Sequence, residues 1–126
     1  MGQYLTMDVR EAVCVNRARL HGLVRQLGES GAQDVLCRAV EEIATRLELG
    51  HALYDKGHLQ EMRKCTRSLI AIADQIGMDT LSLVAEDVVT CIDSGDPVAL
   101  SATQSRLLRS GQSSLEEIWA LQDISG

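Results

Sequence analysis

Hydrophobic positions along this chain recur every three to four residues, and the stretches that keep this rhythm are separated by short glycine-containing breaks. That spacing is one face of an α-helix. Asp8 followed by Glu11 reads as a helix start, after which Val9, Val13, Leu20, Leu23, Val24 and Leu27 hold a stripe as far as Gly28. Ser30 and Gln33 have the spacing of a capping box, and Leu36, Val40, Ile43, Leu47 and Tyr54 carry a second stripe to the Asp55-Lys56-Gly57 turn. Gly50 interrupts that stripe and reads as a point of close backbone approach. The third stripe is the most regular: Leu59, Met62, Thr66, Leu69, Ala73 and Ile76 face a core, and Gly77 supplies a left-handed cap. Asp79 caps the next start, and Leu81, Val84, Ala85, Val88 and Ile92 define a fourth helix ending at Ser94-Gly95-Asp96.

Pro97 directly after Asp96 opens a fifth helix, because the N–H that proline lacks has no partner in the first turn anyway. Ser110-Gly111 is a point where this helix either kinks or continues, and it runs to about Leu121. The pattern predicts helices over 8–27, 32–55, 58–76, 80–93 and 97–121. No segment shows the period-two alternation of a strand, and no solenoid-length repeat or linker divides the chain. The expectation is a single helical domain over 1–126 of the all-α class, an antiparallel up-down four-helix bundle with an additional N-terminal helix.

Composition sharpens this picture. The 126 residues are 45% hydrophobic with one Pro, no Phe, one Trp and two Tyr, so the core is aliphatic. A net charge of −6 and the scarcity of stacking rings argue against nucleic acid as a partner. No apolar run approaches the about 20 residues that span a bilayer, and the N-terminus lacks the layout of a secretory signal, so no membrane association and a cytoplasmic location are expected.

Reactive chemistry is sparse. Cys14, Cys37, Cys65 and Cys91 lie too far apart for a Cys-x-x-Cys pair and read as small buried thiols. His21, His51 and His58 have no spacing that aims two imidazoles at one metal, and read as surface or boundary residues. Glu41-Glu42 and Glu116-Glu117 are adjacent pairs that diverge by about 100 degrees on a helix. With no nucleophile beside a base, no phosphate loop and no metal cluster, neither enzymatic activity nor a cofactor is expected.

The segment Gly57–Leu81, GHLQEMRKCTRSLIAIADQIGMDTL, carries a resemblance. Gly57, His58 and Leu59 stand at a Gly-Asp-Leu-like turn, and Met62, Leu69, Gly77 and Leu81 hold apolar and glycine positions at matching offsets. In this it resembles the histidine phosphotransfer (HPt) domain family over roughly residues 33–120, as a degenerate member. The resemblance puts Arg67 at the phosphoaccepting position, Ile70 at that of the family's Lys and Ala71 at that of its Gly. A guanidinium stays protonated and has no lone pair with which to attack phosphorus. His58, nine residues earlier at the helix start, is the alternative position for a relocated acceptor.

What the resemblance implies is a pseudo-phosphotransferase: a non-catalytic protein–protein interaction module in two-component phosphorelay signal transduction, binding a response-regulator receiver domain or a sensor kinase without carrying phosphate. Arg63, Lys64, Arg67, Ile70, Ala71 and Asp74 are the expected partner-binding face, cations around an aliphatic residue in an acidic chain. On this reading Ile70 is open to a partner and an Ile70→Asp change leaves the fold intact. The competing expectation is a structural or assembly protein that forms a homodimer, unrelated to phosphotransfer.

Overall fold

The computed structural model describes residues 16–125, with side chains through Ala120. It contains α1 (Arg17–Asp55), α2 (Leu59–Gln75), α3 (Asp79–Ser94) and α4 (Pro97–Ser125), and no sheet among the described residues. Each helix packs on its neighbour in sequence and α4 returns to α1, whereas the diagonal pairs α1/α3 and α2/α4 do not meet. Short turns between consecutive helices make this an antiparallel up-down four-helix bundle. The expected Asp8–Glu11 start, Val9, Val13 and Cys14 lie outside the described residues.

The expected first and second helices are joined as α1, with the break at Gly28 (φ 77°, ψ 170°), a backbone region that only glycine enters readily. Residues 17–27 therefore form an arm that turns away from the long segment behind it. Asn16 caps the arm by accepting from the Arg19 N–H at 3.1 Å. The capping box expected at Ser30 is not used, because helix runs through it.

The arm ends against the α2–α3 turn. The Asn16 N–H donates to the Gly77 carbonyl at 2.6 Å, Asn16 Nδ2 donates to Asp79 Oδ2 at 3.2 Å, and Arg19 Nη1 donates to the Asp74 carbonyl at 2.6 Å. Gly77 is doubly required there: its φ is +79°, and a Cβ would lie 2.9 Å from the Asn16 carbonyl oxygen. Asp79 is thus a first-turn acid of α3 that holds the arm, and not the N-cap expected from sequence; that position belongs to Met78. At the other end, Asp96 Oδ1 accepts from the Val98 and Ala99 N–H groups and so caps α4 ahead of Pro97.

The core follows the stripes of α2 and α3. Met62, Leu69, Ile76, Leu81, Val84 and Val88 are almost wholly enclosed, together with Ile43 of α1 and Ile118 of α4. The buried face of α4 is mixed, pairing Leu100, Leu107, Leu115 and Ile118 with buried Gln104, Ser110 and Ser114. The Ser110 and Ser114 hydroxyls and Gln104 Oε1 have no hydrogen-bond partner among the described residues. Such an orphaned group costs about 1–3 kcal/mol.

The α1–α4 contact turns on Gly111. Helix α4 is continuous through it, and a Cβ there would fall within the Leu47 side chain. Gly50 is buried but not crowded: a Cβ would meet only Cys65 Sγ at 3.8 Å, so the close approach expected at Gly50 occurs at Gly111 instead. Two outcomes follow for urea unfolding. Gly50→Ala gains up to about 1 kcal/mol of helix propensity, whereas Gly111→Ala loses about 1–3 kcal/mol by overpacking, less that same propensity gain. Ser114→Ala, which removes an orphaned hydroxyl at 0% exposure, raises stability.

Candidate functional site

Because Met62, Thr66, Leu69 and Ala73 turn into the core, the opposite side of α2 is left to Arg63, Lys64, Arg67 and Ala71. The structure divides these residues. Arg63 reaches across to α3, its Nε donating to Asp93 Oδ1 at 2.7 Å and its Nη2 to Oδ2 at 3.0 Å. This fork geometry is the strongest form of exposed ion pair. It holds the Asp93 carboxyl below the usual carboxylate range, first through the hydrogen bond from Arg63 and also through the nearby charges of Arg63 and Arg67. The same bond raises Arg63 further above its ordinary value.

Arg67, one turn on, is exposed and has no hydrogen bond or ion pair among the described residues. Lys64, three residues before Arg67 on the same side of α2, also lines a groove between α1 and α2 that contains Leu49 and Leu53. There Arg46 Nε donates to Ser68 Oγ at 2.8 Å, and the Cys65 thiol donates to the Arg46 carbonyl at 3.3 Å. Burial pushes the Cys65 thiol up, against a smaller opposing effect of the Arg46 charge.

Ile70 departs from expectation. It is half-buried and packed against the core, so it is not the open aliphatic centre of the face. Helical geometry explains this, since Ile70 follows Leu69 and lies one turn from Ala73, at the edge of the buried stripe. Ile70→Asp is therefore expected to cost stability, contrary to the sequence-based expectation. The exposed aliphatic residue beside the cations is Leu49 of α1, 50% accessible. Ala71 and Asp74 are exposed, and the Asp74 backbone carbonyl is taken by Arg19 of the arm.

The remaining candidates are dispersed. His21 and His58 are exposed, and His58 precedes α2 without a side-chain cap bond. His51 is half-buried, its ring 6.0 Å from that of Tyr54, with Nε2 3.7 Å from Asp55 Oδ2 and Nδ1 3.5 Å from Gln104 Nε2. Cys37 is exposed and Cys65 and Cys91 are half-buried, which corrects the expectation of fully buried thiols. Among the described residues no group of three or more His, Cys, Asp and Glu could hold a metal ion, and no helix is long and apolar enough to cross a membrane.

Comparison with protein-family models, curated proteins and solved structures finds no match to this chain. The α2 face offers fixed positive charge beside apolar surface, which suits contact with a carboxylate-bearing protein surface.

The Arg63–Asp93 bridge has a pH signature. Because the folded Asp93 pKa is depressed, its contribution is present above the unfolded carboxylate value of about 3.9 and is lost as pH falls through the lower folded value. Asp93→Asn is expected to flatten the acid limb of a stability–pH profile below about pH 4. Identical acid limbs in the two proteins would show that the bridge contributes nothing.

Proposed function

We propose that this chain is a non-catalytic, HPt-like interaction module that docks a response-regulator receiver domain or a sensor kinase and acts by occupying it. The observation that carries the reading is Arg67: an exposed cation midway along α2, without a hydrogen bond or ion pair among the described residues, with Lys64 beside it, in a chain of net charge −6. A permanently protonated guanidinium cannot take up a phosphoryl group, yet it matches a pocket lined by carboxylates. The apolar part of the contact comes from Leu49 and Leu53 across the α1–α2 groove, with the accessible edge of Ile70 contributing little.

Arg63 has a different role in this proposal. Its bidentate bond to Asp93 fixes α2 against α3 and holds the row that carries Arg67 in place. Ala71 keeps the surface beyond Arg67 low, so a partner can approach the guanidinium. Asp74, at the foot of the row beside the docked arm, marks its limit.

Calorimetric titration of the full chain with purified receiver domains and kinase dimerisation regions from its own cell tests the reading. One of them is expected to bind, and Arg67→Glu is expected to weaken that binding at least about tenfold, about 1.4 kcal/mol, with the circular dichroism unchanged. Incubation with a phosphorylated receiver or a small phosphodonor is expected to leave no acid-labile phosphate on His21, His51 or His58. Binding that ignores the Arg67 reversal, or phosphate on any of these histidines, overturns the proposal. A dimer in sedimentation whose contact covers Arg67 would favour the assembly-protein reading instead.

A further inference from the structure

A second surface lies on the far side of the bundle, where α1 and α4 run antiparallel. Leu47 and Gly111 bring the two helices together, and above this contact lies an open groove of about 530 Å³. The α1 wall is low because it is built from Ala44 and Ala52; Leu108 and Leu115 form the α4 wall. Trp119, the chain's one tryptophan, stands at the edge and is 48% exposed. An indole usually buries its ring, so this one marks apolar surface held open.

The polar rim has one sign. Its carboxylates are Glu48 and Asp55, and among the described residues its lining includes no Lys or Arg. Glu48 has no ion pair among the described residues, and Asp55 faces only His51, at 3.7 Å. An apolar floor, an acidic rim and an exposed indole that can stack on a cation all suit the same kind of ligand. From Ala44 to Asp55 the groove follows α1 for about 16 Å, or three helical turns.

We propose that the α1–α4 groove binds a basic amphipathic helix of a partner protein, which packs as a further helix with its apolar stripe on Leu108, Leu115 and Trp119 and its cations on Glu48 and Asp55. The residues of this groove favour such a ligand over a second copy of the chain. In a two-fold contact through this groove, each copy would set the same acidic rim against the other, within assemblies already carrying −6 per chain. The two sites share α1 but no lining residue: Leu49 and Leu53 line the groove toward α2, whereas Glu48 and Ala52 line the groove toward α4.

The single indole reports directly on occupancy. The full chain is titrated with a Leu/Lys peptide of about 18 residues, long enough for stable helix, whose leucines form one stripe. The same composition with the stripe scrambled, and a Leu/Glu version with the stripe intact, serve as controls. The striped basic peptide is expected to shift Trp119 emission to the blue saturably, and both controls are expected to leave it unchanged. Glu48→Lys and Ala52→Arg, both at exposed positions, are expected to weaken binding about tenfold, whereas Glu86→Lys on the outer side of α3 is expected to leave it unaltered. Equal binding of the scrambled basic peptide reduces the effect to bulk charge and overturns the proposal. So does a silent Trp119 with every peptide, or a dimer in sedimentation that already shields the indole.

Discussion

An α-helix can turn only part of its circumference to a core, and on α2 that part is taken by Met62, Thr66, Leu69 and Ala73. The rest of the molecule is arranged around this allocation. Ile76 and Met78 carry the same burial through the Gly77 turn into Leu81, Val84 and Val88, so α2 and α3 form one aliphatic hairpin against which α1 and α4 are laid. Fully burying each of these side chains is worth about 1.5–3 kcal/mol, far more than any exposed ion pair on the surface. It is burial, and not the cations, that decides where Arg63 and Arg67 stand.

Once those positions are fixed, two arginines on one row of α2 have different roles. Arg63 finds Asp93 within hydrogen-bond reach and becomes part of the α2–α3 contact, while Arg67, one turn further, finds no such acceptor among the described residues and is exposed. An interaction face built on both would need a partner to displace the Asp93 bond first. A face built on Arg67, Lys64 and Leu49 needs no such displacement, since neither cation has a hydrogen bond or ion pair to a carboxylate among the described residues.

The parts of the fold legible in the sequence are those where burial and periodicity coincide. Every residue of the α3 stripe from Leu81 to Ile92 is buried, and the α2 stripe fails only at Leu59, which is half-buried. Helix α4 gave no such stripe because it buries Gln104, Ser110 and Ser114 among its leucines, and no hydropathy pattern marks a serine as core. Gly50 departs from expectation for a related reason. Gly50 and Gly111 look alike in sequence, and only the position of Leu47 on the neighbouring helix distinguishes a crowded glycine from an uncrowded one. Ile70 shows the limit of a helical wheel, since a residue at the margin of the stripe is assigned to core or solvent by how closely the adjacent helix packs.

The same packing leaves two exposed surfaces of opposite character. The α2 side offers Arg67 and Lys64 in a chain with a large acidic excess; the α1–α4 side offers Glu48 and Asp55 around an aliphatic floor and an open tryptophan. Surfaces of unlike charge on one small bundle would ordinarily attract each other between copies and promote open-ended association. Their shapes oppose that outcome. The acidic groove follows α1 for about three turns and calls for a narrow element carrying an apolar stripe, whereas the cations of α2 stand on a helix whose own apolar stripe is already spent on the core. Charge alone would let the chain recognise itself, and it is the lack of a free apolar ridge on α2 that leaves the groove available to a different partner.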